Sequence, residues 1–296
     1  MILGIVLVSG IPPDLARAQL LDPECDVLPG QSIQAAINAA QPGERIVVCQ
    51  ATYFEALVIN KDGLILEGKP VATLDGTGAT TTRYGITLAN GLDGFTLKNF
   101  EVRNFKRLVP DPQDASSGIV SLGDTEDVLV ENAFIHANAW TGILFAQGGS
   151  RDWVIRDTVF EANRFAGILT QGNQRVTIQG SSFTDALHGI IALDTKKLEA
   201  HHDSFAAPGD AEAGIVLAPS LGGNKKTVEA SIHNNTFHGA WLHGIWAGLA
   251  KNSRIVDNSF EGMKAGITWG GKPEEAYFHD NAGAGIAETK NTRLRV

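Results

Sequence analysis

The sequence predicts an all-β chain wound as a parallel β-helix, a solenoid with a short amphipathic helix capping its N-terminal end. Three observations predict it. A Gly-Ile pair returns at Gly85, Gly118, Gly142, Gly167, Gly189, Gly214, Gly244, Gly266 and Gly285, at a mean spacing of about 25 residues. Between pairs comes an alternating apolar strand, then Asn or Asp, then Phe, as at Val128 to Phe134, Ile232 to Phe237 and Ile255 to Phe260. Glycine is frequent, 33 of 296 residues, while proline is scarce at 11. The intervening turns are rich in Gly, Asn and Asp, which tolerate left-handed backbone. A unit of two or three short strands without a helix cannot bury its own apolar face, so the units must stack. Stacked rungs then lie about 4.8 Å apart. Propeller blades are longer and built from antiparallel hairpins, and a leucine-rich repeat pattern is absent.

In chain order, the first element is an apolar run from Ile2 to Ile11, too short to span a bilayer. Pro12 and Pro13 follow, then Ala16-Arg17-Ala18. The pattern predicts a signal peptide over residues 1–18, leaving 19–296 as one β-helix domain in a secreted or periplasmic protein. Export permits a disulfide between Cys25 and Cys49, worth about 3 kcal/mol by loop closure. Two free buried thiols are the alternative. The segment 32–40 places Ile33, Ala36, Ile37 and Ala40 at helical spacing, with Ser32 as N-cap and Pro42-Gly43 as the stop.

Composition narrows the function classes. A hydrophobic fraction of 43% with 19% charged residues excludes a disordered chain. A net charge of −9 argues against general nucleic-acid or anionic-membrane binding, which rests on clustered cations.

The stretches Gly30-Gln31-Ser32-Ile33-Gln34-Ala35-Ala36-Ile37, Pro42-Gly43-Glu44-Arg45-Ile46-Val47-Val48, Thr52-Tyr53 and Ile59 to Gly68 resemble the beginning of right-handed parallel β-helix proteins of the pectin-lyase-like superfamily. With the Gly-Ile rungs, the resemblance spans about residues 25–290. It implies a right-handed coil and polysaccharide-linked activities, among them lyases, uronate epimerases and glycoside hydrolases, beside members with no known chemistry. The paired-Asp and Gly-His-Gly signatures of polygalacturonases are absent. Asp111-Pro112-Gln113 has Gln where the epimerase pattern requires His. No catalytic residue is carried over by motif, and a fold alone does not give a function.

In a stacked coil, equivalent positions form columns. The residues after each Gly-Ile pair, including Val120, Leu144, Leu169, Ile191, Val216 and Trp246, are expected to point outward as an apolar stripe. Such a stripe calls for a cover: a partner subunit or second copy, a lipid or sugar surface, or the chain's own loops, with 105–117 as a candidate. Arg151, Arg175, Lys197, Lys226 and Arg254 are expected to form a cationic row, doubled by Lys196 and Lys225. Glu199, His201, Glu229 and His233 are expected on the same face, with Arg156, Gln179 and His279 at the His201 position of other rungs. Asn132, Thr158, Ser181, Asp203, Asn235 and Asn258 are expected as a structural polar column, followed by a core column from Phe134 to Phe260.

Lys197, His201 and His233 are thus the candidate catalytic residues. Arg151, Arg156, Arg175, Lys196, Glu199, Lys226, Glu229 and Arg254 are the candidate substrate-binding residues. A uronate lyase or epimerase must neutralise a sugar carboxylate and remove the neighbouring proton, which suits cations beside a His or Lys base. Two further readings stand beside it. One is a non-catalytic β-helix used for assembly. The other is a metal-handling protein using His201 and His233, with Glu199 or Asp203, to bind Zn²⁺ or Cu²⁺. No cofactor is certain. Ca²⁺ is possible, though no cluster of three acids supports it.

Overall fold

The computed structural model describes residues 24–78, 83–106, 115–146, 148–220, 227–248, 250–269, 277–283 and 286–288. The expected signal peptide, Lys225 and Lys226, and most of the 105–117 segment lie outside the described residues.

The chain winds as a solenoid with three parallel sheets. The glycine sheet carries the Gly-Ile pairs, and Ile86, Ile119, Ile143, Ile168, Ile190, Ile215, Ile245, Ile267 and Ile286 stand in register along it. The charged sheet includes the strands Arg151–Arg156, Gln174–Gln179, Lys196–His201, Ser231–His233 and Arg254–Val256. The phenylalanine sheet aligns Ile135, Phe160, Phe183, Phe205, Phe237 and Phe260. Each rung passes from the charged sheet to the phenylalanine sheet to the glycine sheet.

The core lies within the coil. Ile, Leu, Val and Phe from all three sheets form one buried cluster, with Trp153, Trp241 and Trp269 among its largest members. The Phe rings of neighbouring rungs stack with centroids 4.6 to 4.9 Å apart. The polar column turns the corner between the charged and phenylalanine sheets, and is equally buried.

The cap is as expected. Helix α1 (Ile33–Ala39) buries Ile33 and Ile37, and the Ser32 hydroxyl accepts from Ala35 N. Glu55 completes it, accepting from Ile33 N, Gln34 N and the Ser32 hydroxyl. A carboxylate there satisfies first-turn donors and complements the helix dipole. Cys25 and Cys49 form a disulfide with Cα atoms 5.5 Å apart. Such bonds persist in oxidising compartments.

One column expectation is resolved and two need correction. The apolar stripe is covered by other side chains of the same chain, one of the covers expected for it. Val120, Leu144, Leu169, Ile191 and Val216 are buried in a second hydrophobic cluster, against which Tyr84, Trp140, Phe165 and Leu193 pack. Only the Trp246 end of the six is exposed, at 39%. The polar column begins at Ala133 and Thr158 rather than Asn132, and Ile135 rather than Phe134 starts the phenylalanine column. Asn132 instead adopts left-handed backbone at the turn, with φ 50°.

The cationic row is also out of register. Arg151 pairs with Glu126 and Gln174, whereas Arg254 pairs with Ser231. Asp127, Asp152, Arg175, Lys197 and Glu229 are the residues that align, each with φ between 51° and 58°. A left-handed residue interrupts in-out alternation, so counting along the strand misplaces the row. The true row mixes both signs, with Arg175 paired to Asp152 and Lys197 beside Glu229.

Candidate functional site

The predicted residues converge in part. His201 and His233 are in register on the outside of the charged sheet, their rings parallel and 5.0 Å apart. Glu199 Oε1 lies 3.6 Å from His233 Nε2, and Lys197 Nζ lies 3.9 Å from Glu229 Oε2. His202 adds a third imidazole, its Nδ1 2.8 Å from Nδ1 of His201. Partial burial pulls the His201 pKa down, opposed by Glu199 and reinforced by His233 and His202. That leaves a neutral imidazole at pH 7, the form a base requires.

Its surroundings are less favourable. Arg175 is held by Asp152 and Arg151 by Glu126. Arg156 occupies the His201 column as expected, but is paired with Glu131. Lys196 and Arg254 are exposed. The face is an open strip of sheet. Among the described residues, no group of three or more His, Cys, Asp or Glu side chains is placed to hold a metal ion.

A concave site lies at a different corner, where each rung passes from the phenylalanine sheet to the glycine sheet. A cleft of about 540 Å³ is lined by Leu187, Ala211, Glu212, Trp241, Leu242 and Lys264, among others. A second of about 300 Å³ shares Leu187 and Ala211 with it and adds Arg164 and Asp185. Together they make a groove along the coil axis across five successive rungs. Four rung spacings of about 4.8 Å give it a length of roughly 19 Å.

The groove exists because of a local break in repetition. The strand Ser204–Ala218 runs from the phenylalanine sheet into the glycine sheet, and its register shifts between Ala207 and Ala211. That bulge carries Pro208 and Gly209 to the groove wall. It is followed by Glu212, whose carboxylate is 3.2 Å from His188 Nε2. His188 and His243 align with Ala213 on either side, so Glu212 belongs to the rung between two imidazoles. Burial lowers the pKa of His188 against the pull of Glu212. Burial and Lys264 lower that of His243, whose Nδ1 is 2.7 Å from the Thr268 hydroxyl. His188 Nδ1 has no partner.

These residues were missed because the sequence marks them weakly. Leu187-His188-Gly189-Ile190 and Leu242-His243-Gly244-Ile245 repeat a Leu-His step before the Gly-Ile landmark. That repeat was the available signal. Glu212 and Lys264 stand two residues before the Gly of their Gly-Ile pairs, in the same column as Leu187 and Leu242, but a column of mixed acid, base and apolar residues does not announce a site.

The family described as right-handed β-helix region matches residues 37–205, more than half of the chain. The chain belongs to that family. A search of curated proteins finds no match. Among solved structures, this β-helix protein is similar to pectate lyase Pel9A, with a TM-score of 0.58 and 14% identity, covering 90% of this chain and 73% of the other. It is similar to the A-module of mannuronan C-5 epimerase AlgE4 from Azotobacter vinelandii, at a TM-score of 0.51 and 16% identity over 89% and 95% of the two chains. An alginate lyase from Paenibacillus matches with a TM-score of 0.53 and 15% identity over 81% and 95%. At these identities the likeness is one of fold. The β-helix protein therefore shares its architecture with enzymes named for acidic polysaccharides, while its own groove residues must be read on their own chemistry. No helix among the described residues is long and apolar enough to cross a membrane.

Proposed function

We propose that this is an exported β-helix protein that binds acidic polysaccharide in the groove between the phenylalanine and glycine sheets. One observation carries the reading. The groove runs along the coil axis with an exposed cation at each end, Arg164 and Lys264, and neither is paired with a carboxylate among the described residues. An elongated polyanion is the ligand class that fits such a groove, and Leu187 and Leu242 supply apolar wall for the faces of sugar rings. The fold similarity to pectate- and alginate-named enzymes supports the same ligand class.

The groove also holds the groups for uronate chemistry. Lys264 faces the sugar carboxylate, and Glu212, oriented by His188, takes the proton on the adjacent carbon. In β-elimination the carbon–hydrogen electron pair forms the ring double bond, the neighbouring glycosidic carbon–oxygen bond breaks, and the departing oxygen takes up a proton. Epimerisation returns the proton from the opposite face.

The test is affinity electrophoresis and calorimetry with polygalacturonate and alginate, followed by ultraviolet absorbance for unsaturated uronate and NMR for epimerised residues. Binding lost in Lys264→Ala supports the groove, and no binding to any polyuronate rejects the reading. Loss of turnover with retained binding in Glu212→Gln supports the chemistry. The stacked His201 and His233 favour a second reading, in which the polymer lies on the charged sheet with Lys197 and Arg254 as its cationic partners. Binding sensitive to His201→Ala and Arg254→Ala, but not to Lys264→Ala, selects it.

A further inference from the structure

The polar column at the corner between the charged and phenylalanine sheets is a hydrogen-bonded ladder. Asn235, Asn258 and Asn281 each present Oδ1 to the backbone N–H of the preceding ladder residue, at 2.9, 3.0 and 3.1 Å. Each turns its amide nitrogen to a strand carbonyl. Asn235 donates to Ala200 O, Asn258 to Ile232 O and Asn281 to Ile255 O, at 2.9 to 3.0 Å. Every member therefore works as one acceptor and one donor.

Asp203 occupies this position in the preceding rung. Its N–H donates to Asn235 Oδ1, and its own Oδ1 accepts from Ser181 N at 2.8 Å. The second oxygen takes the place of the asparagine amide nitrogen. It is buried and has no partner. By register, Ile178 is to this rung what Ala200 is to the next, so the corresponding group is the Ile178 carbonyl. Two acceptors cannot bond, and an ionised carboxylate would be left uncompensated in the core.

We propose that Asp203 is built into the ladder as a neutral carboxylic acid whose Oδ2–H substitutes for the asparagine amide, so that this joint of the coil holds in acid and loosens when the proton leaves. Burial pushes its pKa up to about 7, against the backbone N–H groups of the corner that favour the anion. The titratable groups around it are His201 and His202 on its own rung, His233 on the next and, two rungs back beside Gly180, Asp157. All four side chains lie on the outer side, at least partly exposed. The same rung supplies Ala211 and Glu212 to the groove, so the device acts on the part of the coil that shapes the cleft.

The direction follows from proton counting. An unfolded chain ionises an Asp near pH 4, whereas the folded chain keeps this proton to about 7. The folded state binds more protons between those values, so stability falls as pH rises through that window. Urea unfolding at pH 5, 6, 7 and 8 tests this with wild type, Asp203→Asn and the exposed-turn control Asp157→Asn. The folding equilibrium constant of Asp203→Asn relative to wild type rises roughly a hundredfold between pH 5 and pH 8, while Asp157→Asn tracks wild type. A carbon-13 carboxyl titration of the folded protein places the Asp203 transition near neutrality. A ratio that does not change with pH, or an Asp203 carboxyl already ionised at pH 5, overturns the proposal.

Discussion

A Cβ placed on Gly167 would stand 2.5 Å from Cδ1 of Phe183, inside the van der Waals surface of the ring. The relationship repeats between Gly142 and Phe160, Gly189 and Phe205, Gly214 and Phe237, and Gly244 and Phe260, at 2.5 to 2.6 Å. None of these glycines has positive φ. What each position requires is the absence of a side chain, so that the ring of the phenylalanine sheet can lie against the backbone of the glycine sheet. The same ring also stacks on its neighbours along the axis, so it has little room to retreat.

Gly167→Ala is therefore expected to destabilise the coil by about 1–3 kcal/mol, the usual range for an overpacked core. Phe183→Leu costs stability alone but frees space beneath residue 167. The double variant Gly167→Ala/Phe183→Leu is expected to lose less than the two single losses combined. Urea unfolding of the four proteins measures the coupling. Strict additivity would show that the alanine methyl and the ring do not meet.

Much of this architecture was legible because the coil repeats. Gly167-Ile168 and Phe183 each recur once per rung, and recurrence reveals a column without coordinates. The cap was legible from Ser32, Ile33 and Ile37. The cationic row was misplaced because Arg175 and Lys197 sit in left-handed backbone, which changes the phase that alternation assumes. The cover of the stripe stayed open because alternation gives the direction of Leu169 and not what packs over it. The groove was missed for a different reason: Glu212 and Lys264 share the column two residues before each Gly-Ile glycine, but its chemistry changes from rung to rung, and the bulge beside Glu212 that helps shape the wall leaves no period.

The disulfide gives a second prediction. Cys25 and Cys49 are 24 residues apart and tie the segment before the cap to the first strand of the charged sheet, Arg45–Cys49. Closing a loop of that size stabilises by about 3 kcal/mol in the chain-entropy model. Cys25→Ser/Cys49→Ser is expected to unfold at lower urea by that amount while keeping the circular dichroism of the native coil. An unchanged midpoint would mean that the cap alone holds this end closed.

Asp75 is expected to behave oppositely to Asp203. It too is buried, which alone would raise its pKa, but Thr77 N, Arg103 and Asn104 all donate to its carboxylate and hold the pKa below the usual value. Its stabilisation is present above an unfolded value near pH 4 and is lost as pH falls through the lower folded value. Asp75→Asn is therefore expected to be less stable than wild type at neutral pH, with the difference shrinking in acid. Unfolding midpoints measured from neutral pH down to about pH 3 check it. A constant difference would assign the effect to packing.

The groove makes the last prediction. Arg164 and Lys264 stand at opposite ends, so a polymer that spans it touches both, whereas a short oligomer reaches only one. For polygalacturonate, Arg164→Glu and Lys264→Glu are each expected to weaken binding about tenfold, or 1.4 kcal/mol, with weaker salt dependence because fewer ionic contacts remain. For a disaccharide, reversal at the distant end is expected to have little effect. Lys197→Glu and Arg254→Glu on the charged sheet serve as controls of equal charge change. Long-range attraction by net charge would make all four reversals equivalent, since each moves the protein's charge by the same amount. Only direct occupation of the groove makes the loss depend both on which end is reversed and on how long the ligand is.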